Sequence, residues 1–189
     1  QTQGQDPRQG RYIVAHLGGG ISVSAWDSLR AVDVNNAVEG DGPFSPERAG
    51  SLSCVSVLHL LEQAYAGNIT QLKSDLYRQG GLQSYLGSND VRAMVARAAD
   101  EPYVRLILDA MYYGVAKAIG AMAAALRGRV DGILLTGGLC YNEDTTRSIK
   151  AQVDWIAPCS VFPGEDELAA LAEGAYRCLT GQEKAQALT

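Results

Sequence analysis

His16, Leu17, Gly18, Gly19 and Gly20 put three consecutive glycines directly after a histidine, between two runs of strand-forming residues at 12–17 and 21–26. A turn with no Cβ atoms lets backbone N–H groups come close to an anion, so the chemistry this pattern suits is phosphate binding. No Gly-Lys-Ser/Thr follows, so it is not a Walker loop, and it does not open a helix in the GxGxxG manner. Read without context it is more often a plain hairpin turn, and His16, a possible phosphate donor, is more often a structural residue at a strand end.

Three further groups could act with it. Residues 40–50, Gly-Asp-Gly-Pro-Phe-Ser-Pro-Glu-Arg-Ala-Gly, form a loop whose Arg48 either grips carboxylate or phosphoryl oxygens through paired donors or makes an exposed salt bridge. Thr136, Gly137, Gly138, Leu139, Cys140, Tyr141 and Asn142 lie between a strand run and a helical run. Paired glycines there admit a flat ligand such as adenine or ribose, and the helix N-terminus that follows favours an anion. The alternative is an ordinary turn with Asn142 as the helix cap. Pro163, Gly164, Glu165, Asp166 and Glu167 open the last helical run, where the carboxylates either complement the helix dipole or hold Mg²⁺, directly or through water.

These groups are spread over most of the chain, so the fold must gather them. The runs at 12–17, 21–26 and 31–35 predict a three-stranded antiparallel start with the glycine turn as its first hairpin. Helical patterns follow at 54–65, 69–78, 89–99 and 102–126, the last rich in alanine in its second half and so suited to close packing. A strand at 130–136, an amphipathic helix at 143–153, a strand at 156–162 and a helix at 165–179 then make β-α-β-α, the pattern of parallel strands with covering helices. The expected fold class is α/β: a mixed sheet starting with an antiparallel hairpin and ending in βαβα, with a helical insertion at about 52–128.

Composition limits the partners. The chain has 189 residues, 47% hydrophobic and 20% charged, enough for one globular domain with a sizeable core. Sixteen Lys and Arg against 21 Asp and Glu give a net charge of −5, and no basic cluster is interleaved with aromatics, which argues against nucleic acid. No run approaches the roughly 20 apolar residues of a membrane span, and residues 1–10 do not read as a signal peptide, so a soluble, cytoplasmic protein with no membrane partner is expected. Cys54, Cys140, Cys159 and Cys178 form no CxxC pair; single reduced thiols in or near the core are expected rather than a metal site or a disulfide framework. The chain opens without Met on a Gln- and Gly-rich stretch, residues 1–10, which reads as a flexible tail or remnant.

Taken in order, the strand-turn-strand unit, the Pro-Arg loop, the helical insertion, the strand-Gly-Gly-helix and the strand-acidic helix resemble the second domain of the actin-like ATPases. That superfamily has a ribonuclease H-like fold and includes sugar kinases and heat-shock chaperones. Within it the sequence is similar to the acetate and butyrate kinase, or acetokinase, family. The motifs that carry the likeness are IVAHLGGGISVSA at 13–25, DVNNAVEGDGPFSPERAG at 33–50, GGLQSYLGSNDVR at 80–92, IGAMAAALRGRVDGILLTGGL at 119–139 and IAPCSVFPGEDELAALAEGA at 156–175. GPFSPER, and Gly19 where acetate kinases tend to have Asn, resemble the butyrate kinase branch.

The resemblance implies ATP as donor, ADP as product and Mg²⁺ as the metal. His16, Leu17, Gly18, Gly19 and Gly20 would bind the ATP phosphates, and Arg48 would be catalytic, stabilising the phosphoryl group in flight. Asp90 and Arg92 would lie near ribose and adenine; Gly137, Gly138, Leu139, Cys140, Tyr141 and Asn142 would form the adenosine turn; Glu167, with Glu165 and Asp166 beside it, would match the metal position. The reaction would be in-line transfer of the γ-phosphoryl group to butyrate, giving butyryl phosphate. In such kinases a first domain supplies a second phosphate-binding hairpin and the residues that grip the acid, and none is recognisable here. Residues 11–189 are therefore expected to be a single actin-like ATPase domain, the second half of a two-domain kinase. Alone it would be inactive, with the missing amino-terminal domain as partner and a homo-oligomer formed through the insertion. Two alternatives stand beside this: a non-catalytic nucleotide-sensing or interaction domain, and a kinase of acetate, propionate or a branched-chain acid.

Overall fold

The computed structural model describes residues 9–164 and 166–185, with Glu167 described by its backbone only. Burial alternates along the first strands, in the second matching an alternation of apolar and polar residues. β1 (Arg11–Leu17) buries Ile13, Ala15 and Leu17 completely, and β2 (Ile21–Asp27) buries Ile21, Val23 and Ala25. A side-chain period of two puts each set on one face of the sheet. The glycine turn closes this hairpin in register, with Leu17 opposite Ile21. β3 (Arg30–Val34) adds an antiparallel edge strand, exposed along its whole length. β4 (Gly132–Gly137) pairs in parallel with β1, and β5 (Cys159–Pro163) in parallel with β4, so the order is β3-β2-β1-β4-β5.

Seven helices are described: α1 (Cys54–Gln63), α2 (Ile69–Arg78), α3 (Gly81–Leu86), α4 (Val91–Arg97), α5 (Pro102–Ala125), α6 (Glu143–Val153) and α7 (Glu167–Leu179). α5 covers the sheet. Its Val104, Leu108, Met111, Val115, Ile119 and Met122 recur at three- and four-residue steps and are buried against β1 and β2. At about 2 kcal/mol for each fully buried aliphatic side chain, this stripe is a major share of the core. Pro102 begins the helix where its missing N–H costs nothing, and Arg127 and Gly128, both at positive φ, end the last turn. With 24 residues and a mean hydropathy of 1.3 in its most apolar part, α5 is long and apolar enough to cross a membrane, contrary to the sequence expectation. Its apolarity has a simpler cause in the buried stripe.

Most elements fall where the sequence predicts them, α2 and α6 to the residue. The helix expected at 89–99 is the shorter α4, because the Asp90 side chain accepts the Arg92 and Ala93 N–H groups and so caps it. The strand expected at 156–162 begins only at Cys159, since residues 154–156 are a turn. No helix is expected at 81–86, yet α3 forms there. Of the four free thiols, Cys140 is buried and Cys159 half-buried, while Cys54 and Cys178 are exposed rather than in the core.

Candidate active site

The carboxyl ends of β1, β4 and β5 lie side by side, and each runs into one of the glycine-containing groups. His16 lies opposite Thr136, and Thr136 opposite Phe162. A Cβ on Gly137 would stand 2.7 Å from the Leu17 carbonyl carbon and closer still to its oxygen, and Gly137 has φ of 98°. Only glycine lets the two turns close up in this way. Gly137 N–H donates to the Gly164 carbonyl and Gly164 N–H to the Gly137 carbonyl, both at 3.2 Å, which ties the start of α7 to the same edge. In open sheets with parallel strands, ligands bind outside this edge.

The Arg48 loop reaches the edge through Ser45. This fully buried residue donates from Oγ to the Gly19 carbonyl at 2.6 Å and accepts the Arg48 N–H at 3.1 Å. The guanidinium therefore lies on Gly20: a Cβ there would stand 2.6 Å from Arg48 Cζ, and Nη1 is nearer. Arg48 Nη1 donates to the Ala37 carbonyl at 2.8 Å, and Nη2 to the Tyr77 hydroxyl at 3.0 Å. A cleft of about 650 Å³ opens between His16, the glycine turn, Asn36, Glu47 and Arg48. Asn89 Nδ2 donates to Glu47 Oε1 at 2.8 Å, which brings the α3–α4 connection to the rim. Asp90 stands next to it, its carboxylate engaged as the α4 cap, and Arg92 is exposed.

The Gly138–Tyr141 stretch is a single 3-10 turn. Cys140 points into the core, its Sγ donating to the Thr136 carbonyl at 3.2 Å, and Leu139 is half-buried against that core; Tyr141 is exposed. Any ligand at this turn would thus meet backbone and Tyr141 rather than Leu139 or Cys140. Asn142 accepts the Thr145 N–H at 3.2 Å and caps α6. Burial pushes the Cys140 thiol up to about 12 and the Cys159 thiol up to about 11. Burial also pushes the Asp144 carboxyl up, but the hydrogen bond and charge of Arg105 outweigh it, helped by the Tyr112 hydroxyl and Arg147, and the carboxyl ends below its ordinary value.

Among the described residues no three His, Cys, Asp or Glu gather as a metal cage. Asp166 is exposed at the start of α7; Glu165 and the Glu167 side chain lie outside the described residues. Mg²⁺ commonly takes one or two carboxylates and completes its shell with water and substrate phosphates, so a single carboxylate at this edge fits that chemistry. Sequence alone does not single out Ser45, Glu47, Tyr77 or Asn89: Ser45 and Glu47 sit inside the 40–50 loop around Arg48, whereas nothing in the local pattern sets Tyr77 apart.

A sheet of order 3-2-1-4-5, with glycine turns at its parallel carboxyl edge, has the architecture of an actin-like ATPase domain. Solved structures share it: an acetate kinase from Porphyromonas gingivalis superposes with a TM-score of 0.79 at 23% identity, over 93% of this chain and 51% of that one. A propionate kinase from Francisella tularensis superposes with a TM-score of 0.76 at 20% identity, over 85% and 48%. The model of the acetokinase family matches residues 2–155, and the chain belongs to that family. It is similar to the curated "Probable butyrate kinase" of Clostridium botulinum strain Alaska E43, with 48% identity over 179 residues, 92% of this chain and 49% of that protein. The protein of the same name from Enterococcus faecalis is 45% identical over 184 residues, covering 96% and 51%. The chain therefore spans about half the length of the curated relatives it matches.

Proposed function

We propose that this chain is the carboxy-terminal half of a short-chain fatty acid kinase, transferring the γ-phosphoryl group of ATP to butyrate to give butyryl phosphate and ADP in the cytoplasm. The observation that carries the reading is Arg48, whose guanidinium lies on the Gly20 backbone and lines the cleft beside His16 and the glycine turn. A glycine turn offers backbone N–H groups to phosphate oxygens, and a guanidinium beside it can grip two oxygens at once. ATP supplies a phosphoryl group whose charge spreads over its equatorial oxygens during in-line transfer. Arg48 neutralises that charge, His16 and the glycines hold the phosphates, and the turn from Gly138 to Asn142 holds adenosine with Asp90 and Arg92 near the rim. Mg²⁺ is assigned to Asp166 with Glu165 and Glu167. Butyrate as acceptor rests on the names of the relatives. The residues that grip the acid are assigned to the other half, so the chain alone is assigned no activity; a homo-oligomer formed through the insertion belongs to the same reading.

Trapping acyl phosphate as hydroxamate tests this. The chain alone with ATP, Mg²⁺ and butyrate should give no product above a blank, and product should appear when an amino-terminal half is supplied. In that reconstituted enzyme Arg48→Ala should cost on the order of 3 kcal/mol of transition-state stabilisation. Product from the chain alone would overturn its assignment as an inactive half, and unchanged turnover in Arg48→Ala would overturn the role of Arg48.

A further inference from the structure

A long arginine side chain loses rotamer freedom when it is fixed, so a clamp that works needs something to hold it. We propose that Tyr77, on α2, is the positioning residue for Arg48; the inference rests on the phosphoryl-transfer reading above. The Tyr77 ring lies under the guanidinium, 4.5 Å from Cζ to the ring centroid, and its hydroxyl accepts from Nη2 at 3.0 Å. Face and hydroxyl together fix both the position and the plane of the group, which neither contact does alone. The hold also leaves the clamp usable. A guanidinium has five N–H donors; the Ala37 carbonyl and the Tyr77 hydroxyl take one each, so three remain without a partner among the described residues.

Tyr77 is itself fixed relative to the Arg48 backbone. Ala49 N–H donates to the Leu76 carbonyl at 3.0 Å and Gly80 N–H to the Glu47 carbonyl at 2.9 Å, so α2 and the arginine loop are stapled on both sides of the contact. A second cavity of about 680 Å³ is lined by Tyr77 and by Ala49, next to Arg48, with Lys73, Leu76 and Asn36. Without the ring, Arg48 has open space to swing into, away from Gly20. Tyr77 thus acts through Arg48 and needs no contact with substrate.

Kinetics of the reconstituted two-domain enzyme test this. Tyr77→Leu should lower kcat about tenfold with KM for ATP within about twofold, and Tyr77→Phe, which keeps the ring, should lose only about threefold. In an Arg48→Ala background Tyr77→Leu should have no further effect, because the group it positions is gone. Parent-like kcat in Tyr77→Leu, or the same loss in both backgrounds, would overturn the proposal. An inactive reconstituted parent would count against the function itself, and the hold would then be read in the chain alone by NMR. Arg48 side-chain protons should be shifted by the Tyr77 ring in the parent and in Tyr77→Phe, and not in Tyr77→Leu; unshifted signals in the parent would overturn the hold.

Discussion

Gly20 and Gly137 are both crowded, and substituting them should fail in different ways. A Cβ on Gly20 would meet only the far end of the Arg48 side chain, which can move. Gly20→Ala should melt within about 2 °C of the parent, while a displaced Arg48 costs the reconstituted enzyme about tenfold or more in kcat. A Cβ on Gly137 would meet the Leu17 backbone, at a φ of 98° that L side chains rarely adopt. Gly137→Ala should lose on the order of 3 kcal/mol in urea unfolding. The thiols divide as clearly. With Cys140 pushed up to about 12 and Cys159 to about 11, almost none of the reactive thiolate exists at neutral or mildly basic pH. Iodoacetamide at about pH 8 should modify the exposed Cys54 and Cys178 first, and Cys140 and Cys159 only on unfolding, as read by peptide mass spectrometry. The glycines and Arg48 are legible in sequence because their types announce what they can do. Ser45 and Tyr77 are not, since a loop serine and a helical tyrosine look ordinary until the fold sets one on the Gly19 carbonyl and the other under a guanidinium.

α6 is held by its cap and by one buried-edge ion pair. Arg105 of α5 donates from Nη1 to Asp144 Oδ2 at 2.8 Å and pairs with Asp109 through Nη2 at 2.6 Å. Because α6 follows directly on the Gly138–Asn142 turn, this contact anchors that turn to the core helix. Asp144 sits below its ordinary value of 3.8, so its stabilisation is present above that value and is lost as pH falls through the lower folded one. Asp144→Asn should be about 2 kcal/mol less stable than the parent near neutral pH. The gap should close as the pH falls from 3.8 through the lower folded value in denaturant titrations; a constant gap would mean the loss is one of packing alone. α2 and α6 are legible to the residue because each carries its own Asn cap and its own apolar period. α3 carries neither: it is six residues long, starts after Gly80 with no side-chain cap, and forms because Leu82 and Gln83 N–H groups donate to the Ser45 and Pro46 carbonyls. Such a helix exists only in the tertiary fold, as the partner of the arginine loop.

Across the whole molecule, strand directions are legible because a three-glycine turn forces an antiparallel pair and a helix-long crossover a parallel one. Which apolar surface stays open is not, since a leucine stripe reads the same whether it is covered or bare. On α7, Leu168, Leu171 and Leu179 are 84%, 71% and 87% exposed and align in one stripe through Ala175. On α1 no residue is buried, and Val55 and Leu58 are 60% and 57% exposed. Contiguous bare apolar faces of this kind mark surfaces that bind something, and the chain spans about half of its relatives. The isolated chain should therefore self-associate, its mass by light scattering rising above 20.1 kDa with concentration. The range to cover is about 1–100 µM, where exposed apolar surface usually tells. Leu168→Glu with Leu171→Glu should lower that mass toward the species the insertion alone holds, without loss of helical circular dichroism, because neither side chain contributes to the core. A monomer at every concentration in the parent would overturn the expectation. Assembly through the insertion demands the opposite pairing: in the reconstituted enzyme, Val55→Glu with Leu58→Glu should split the oligomer and the α7 pair should leave it intact.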